Sequence, residues 1–146
     1  MRSQNSPIPH NIQQFALLCC SLVIIKNLDN CLEDFYDFLL WQKEPIVTLG
    51  TSIKLVVEVV STNWQNDYAR KLDEYQTLGI TEYWIADYLG LGGTSFIGFP
   101  KQPTLTICQL ENKFYKTSQF RGSDRLVSSI FSELELTAEE VFSAGK

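Results

Sequence analysis

Aliphatic and β-branched residues gather in a few short runs, and their spacing predicts the elements. The densest run, residues 53–60 (Ile-Lys-Leu-Val-Val-Glu-Val-Val), predicts a central strand buried on both faces. Residues 46–49 read as a partner strand across Gly50-Thr51-Ser52. Ser61, Thr62 or Asn63 can cap a helix over residues 65–78, which closes at Gly79. Residues 83–88 form the next strand, so the order strand, helix, strand with short links predicts a crossover unit with its two strands parallel.

Around that centre the pattern changes. Residues 104–110 and 114–118 flank Glu111-Asn112-Lys113 and predict a hairpin, while Thr137 and Glu140 have the spacing of a capping box that opens a short terminal helix. Upstream, residues 15–25 are apolar without a deciding period, open to a helix that runs into a strand. Leu32, Phe35, Tyr36 and Leu39 recur at helical spacing with acids at 33, 34 and 37, and Pro45 stops that helix. Residues 1–9, polar with two prolines, are expected to fray. The fold class expected is α/β (α+β), a mixed sheet with a strand-helix-strand centre and a C-terminal antiparallel meander.

A chain of 146 residues builds one domain with a real core. Its 45% hydrophobic and 20% charged residues fit a globular protein, and a net charge of −5 argues against a large basic surface for wrapping nucleic acid. Metal ions can still offset acidic ligands locally. Cys19, Cys20, Cys31 and Cys108 form no C-x-x-C pair and, with the single His10, lack zinc-ligand spacing. They read as reduced thiols, which fits cytoplasmic redox conditions. The apolar stretch 15–25 is shorter than the roughly 20 residues that span a bilayer, and no small-x-small cleavage site follows it, so it reads as core.

Glu58 is the chemical anomaly. An ionised carboxylate inside an aliphatic strand is costly unless a cation, a metal or a donor meets it. Asp67, Lys71 and Tyr75 follow at four-residue intervals, hence on one face of the adjoining helix. A buried strand acid beside a helix acid and lysine has the makings of a metal-assisted hydrolytic site. The blander reading is a core glutamate neutralised by a salt bridge, with Lys71 as an ordinary helix lysine paired to Asp67 for at most about 0.5 kcal/mol. Gly90-Leu-Gly92-Gly93 reads as a turn rather than a phosphate cradle. Trp64, Tyr68, Phe96 and Phe99 read as core or domain edge before base-stacking groups, and Lys113, Lys116, Arg121 and Arg125 as a solvated hairpin face before phosphate contacts.

Leu55-Val-Val-Glu58-Val-Val-Ser61-Thr62, then Asp67, Lys71 and Tyr75, then Gly79-Ile-Thr-Glu82-Tyr83-Trp84-Ile85-Ala86-Asp87, resemble the Uma-type family of restriction-endonuclease-like proteins within the PD-(D/E)XK nuclease superfamily. The resemblance is strongest over residues 54–87 and extends from about Trp41 to the C-terminus. It implies a divalent-metal-dependent endodeoxyribonuclease, with DNA as substrate and Mg²⁺ or Mn²⁺ as cofactor. Glu58 would be the acid of the (D/E)XK element. Val60 stands where that element places its lysine, so Lys71 on the helix would supply it, with Asp67 as its partner and Tyr75 at the edge of the site. Residues 1–50 hold no Pro-Asp pair for the upstream metal ligand; of Asp29, Asp34 and Asp37, Asp29 after the 22–25 run is the nearest candidate. The alternative is a shortened, catalytically silent relative that serves as a DNA-binding or protein-interaction module. A homodimer would suit two-fold symmetric DNA.

Overall fold

The computed structural model describes the backbone of residues 22–25 and the whole of residues 53–144. Among these residues five strands form one sheet in sequence order: β1 (Leu22–Ile25), β2 (Leu55–Val59), β3 (Glu82–Asp87), β4 (Thr104–Glu111) and β5 (Phe114–Phe120). β2 and β3 are parallel, with Glu58 in register with Ile85, and every other pair is antiparallel. This is the mixed sheet that the strand-helix-strand pattern predicts. The strand expected at 46–49, the amphipathic helix expected around Leu32 and the fraying expected of residues 1–9 all fall outside the described residues.

The crossover between β2 and β3 is a continuous helix whose first part is wider than expected. Asn66–Arg70 form a π turn and Lys71–Leu78 continue as α1. The Lys71 amide donates five residues back, to the Asn66 carbonyl. α1 ends at Gly79, which takes the left-handed conformation (φ 76°) that residues with a Cβ avoid. Its amide and that of Ile80 donate to the Gln76 and Tyr75 carbonyls, and this paired closure stops the helix. A short turn, α2 (Thr94–Ile97), follows β3, and Asn112 and Lys113 close the β4–β5 hairpin with positive φ. Thr137 and Glu140 make the expected capping box at α3 (Ala138–Ser143).

Strand alternation divides the core between two faces of the sheet. Val56, Tyr83, Ile85 and Cys108 point to the helix side, where Tyr68, Ile80 and Ile97 join them and Leu72 and Tyr75 pack against the group. Leu55, Trp84, Ala86, Leu105 and Ile107 point the other way, under a cover formed by Leu126, Leu136 and Ala138. The hydrophobic run of β2 is less uniformly buried than expected: Val57 is half-buried and Val59 exposed near the strand end.

A second buried acid fastens that cover. Glu82 is fully buried and accepts from Trp84 Nε1 and Ser128 Oγ at 2.8 Å each and from Ser129 Oγ at 2.7 Å, with the Ser129 amide also bound. A carboxylate that receives several donors replaces its lost hydration, and here it ties residues 128–129 to the start of β3. Glu82→Gln turns one acceptor into a donor that faces other donors. We expect a loss of about 3 kcal/mol in urea unfolding, while the helix side of the sheet keeps its packing.

Candidate functional site

Glu58 occupies the penultimate position of β2, and alternation aims it at the helix side. It is only 2% exposed. Its two oxygens have different partners. Tyr75 donates its hydroxyl to Oε1 at 2.9 Å, and Lys71 Nζ lies 2.9 Å from Oε2. The same ammonium sits 2.9 Å from Asp67 Oδ1, so one lysine bridges two buried carboxylates. Glu58, Asp67, Lys71 and Tyr75 are thereby brought together. Asp29 lies outside the described residues.

The wide turn helps to align this set. In a regular α-helix four residues advance about 400°, so positions 67, 71 and 75 would drift by about 40° per step. A π turn advances fewer degrees per residue, and the step from 67 to 71 falls back where the next runs ahead. Tyr83 accompanies the turn from β3. Its hydroxyl donates to the Asp67 carbonyl at 3.0 Å, and its ring meets Tyr75 edge-on with centroids 4.9 Å apart.

Burial pushes the Glu58 carboxyl above its ordinary value; the hydrogen bond and charge of Lys71 and the Tyr75 hydroxyl pull it back without cancelling the rise. Burial works against the charged form of Lys71, yet hydrogen bonds and charges from Asp67 and Glu58 outweigh it and hold the ammonium above the lysine norm. Lys71 therefore stays protonated. Burial next to Glu58 drives the Tyr75 phenol far upward, so it acts as a donor. The lysine side chain is 31% exposed, which makes it the solvent-facing edge of the cluster. Lys71 is thus more than the surface partner of Asp67.

Glu58 and Asp67 are carboxylates, the ligand type that hard cations take. Mg²⁺ is commonly held by one or two carboxylates with water in its remaining positions. A carboxylate offers about four lone-pair sites, and the two partners of Glu58 leave lone pairs on both oxygens. Among the described residues no group of three or more His, Cys, Asp or Glu is placed to hold a metal ion. Cys108 is buried with its thiol pushed up to about 12, which makes it a poor thiolate ligand.

Most of the other sequence candidates have structural employment. The amides of Leu91 and Gly92 donate at 2.8 Å each to the buried Asp87 carboxylate, so the Gly90–Gly93 loop closes on its own strand as a turn. Phe96 stacks on Tyr68 (5.2 Å) and meets Trp64 edge-on, whereas Phe99 is exposed. Arg121 is held by the Ile97 carbonyl and Thr104 Oγ1, Arg125 pairs with Glu135, and Lys116 lies 3.8 Å from Glu111. Sequence reasoning missed the Tyr83 hydroxyl and the Glu82 cluster. The signal for the first was a polar tip on a strand residue within the matched motif.

A carboxyl with a raised folded pKa binds its proton more readily folded than unfolded. Its contribution to stability is complete below the unfolded pKa and declines as pH climbs through the raised folded value. Glu58→Gln lacks this decline. The melting temperature of the variant is expected to gain on that of the wild type as pH rises from about 4.5 to neutrality. A gain in the opposite direction would contradict the raised pKa.

Among the described residues no helix is long and apolar enough to cross a membrane. No curated protein matches the chain. A family model does: Uma2, described as "Putative restriction endonuclease", matches residues 33–139, which include β2, the helix, Tyr83 and the hairpin. With that match over well more than half of its length, the chain belongs to the Uma2 family of restriction-endonuclease-like proteins.

Proposed function

We propose that this chain is a divalent-metal-dependent endodeoxyribonuclease that hydrolyses DNA phosphodiester bonds at the Glu58–Lys71 site. The observation that carries the reading is the Lys71 ammonium held at 2.9 Å from both Glu58 and Asp67, with part of its side chain open to solvent. Family membership supports the reaction class. Glu58 is the proposed metal ligand, joined by a carboxylate for which Asp29 remains the candidate. A bound Mg²⁺ or Mn²⁺ would supply a water of lowered pKa and neutralise charge on the scissile phosphate.

The residues of the chain do the rest. Lys71, protonated through the working pH range, orients the attacking water and stabilises the charge that builds on the phosphate oxygens. Asp67 gives the lysine a second anchor at 2.9 Å and limits its rotamers. Tyr75 fixes the Glu58 carboxyl plane by donating to Oε1. The reaction needs no histidine base, in keeping with a chain whose one histidine is His10. DNA with two-fold symmetry would be met by a homodimer.

A second reading, a catalytically silent DNA-binding or protein-interaction module, has its own observation. β1 carries Leu-Val-Ile-Ile, and the residue in register with Glu58 is Leu22, so no acid on these four residues faces it across the ladder.

Calorimetric titration with Mg²⁺ or Mn²⁺, paired with a plasmid-nicking assay, separates the two. The nuclease reading expects metal binding that Glu58→Ala removes, and nicking that Lys71→Met slows by about a hundredfold or more. A plasmid left intact with either metal, together with no heat of binding, would establish the silent module instead.

A further inference from the structure

We propose that Tyr83 is a positioning residue for Lys71, acting through the π turn. A helix that widens by one residue and then returns to four-residue spacing leaves a carbonyl short of an amide, and a buried carbonyl needs a donor. The Tyr83 hydroxyl donates to the Asp67 carbonyl at 3.0 Å, one residue after the carbonyl that receives the Lys71 amide. Tyr83 comes from β3, is fully buried, and packs edge-on against Tyr75. Two tyrosines in contact therefore divide the work. Tyr75 holds the Glu58 side chain, and Tyr83 holds the backbone that carries Asp67. Lys71 hangs between what the two hold, at 2.9 Å from each carboxylate.

The role of Tyr83 in hydrolysis rests on the nuclease reading, but its role in placing Lys71 does not. Without the hydroxyl the wide turn loses its external donor and is free to tighten, which swings Asp67 away from the lysine. The ammonium would keep Glu58 and lose the steadier half of its cradle. A purely structural tyrosine predicts something else: lower stability with Lys71 still seated.

The fold supplies a matched control. Tyr115 donates its hydroxyl to the Ile80 carbonyl at 2.9 Å, just beyond the far end of the same helix, and touches none of the site residues through that bond. Tyr83→Phe and Tyr115→Phe each remove one hydroxyl that serves a backbone carbonyl. Competitive trace acetylation with acetic anhydride, read by mass spectrometry, reports the reactivity of Lys71 against the exposed Lys113 of the same molecule. Tyr83→Phe is expected to raise the relative rate at Lys71 about fivefold, the equivalent of one ordinary hydrogen bond. Tyr115→Phe should leave it unchanged. Equal effects in the two variants, or no change in Tyr83→Phe, would overturn the proposal.

The wild-type chain provides a reading that does not depend on a variant folding. The Tyr83 hydroxyl proton should be protected from exchange in NMR spectra, with a cross-peak to the Asp67–Tyr68 peptide, and free exchange of that proton would equally overturn it. Plasmid nicking by the wild type is scored separately. Intact plasmid with a sensitive Lys71 would refute the nuclease reading alone.

Discussion

Removing the Glu58 carboxyl from water governs the arrangement around it. Burial of an isolated carboxylate costs several kcal/mol, far more than one surface pair returns, so an acid 2% exposed survives only with close partners. The chain answers with a cation on one oxygen and a neutral donor on the other, both from the helix that follows the strand. That solution requires the helix to lie close over β2. The short Val60–Asn63 link and the parallel return into β3 bring it there. Fold and site are therefore one constraint: the crossover that covers the sheet also delivers the lysine.

Lys71 is suited to this position because it meets both demands. Its head reaches both acids and retains an outlet to solvent. An arginine would bring a planar fork whose geometry matches one carboxylate bidentately rather than two from different elements. The compact ammonium, with three donors, can serve Glu58 and Asp67 together and keep a proton for a third partner. This spare donor makes the cluster chemically open despite its burial.

Much of this was legible in the residues because it is local. The β2 run, the Gly79 closure, the Glu111–Lys113 turn and the Thr137 capping box each declare themselves within a few positions, and the structure follows them. The four-residue spacing of Asp67, Lys71 and Tyr75 announced a common face. It could not announce the π turn, because residues four apart fall near one face in either helix, ahead in one and behind in the other. The Glu82 cluster was illegible for another reason: its serine donors lie 46 and 47 positions downstream, and no short pattern joins them. In the same way, the motif match named Tyr83 as the start of a strand, but the partner of its hydroxyl is set by tertiary packing.

The sheet acts as a partition wall. Among the described residues, Glu58, Asp67, Lys71 and Tyr75 gather on the helix side, while Glu82 and its serines secure the opposite side with a separate set of contacts. Substitutions behind the wall can alter durability without disturbing reactivity, and those in front can alter reactivity while the rear lining keeps the strands in place. A lineage built on this plan is free to gain, retune or abandon its chemistry while keeping one architecture.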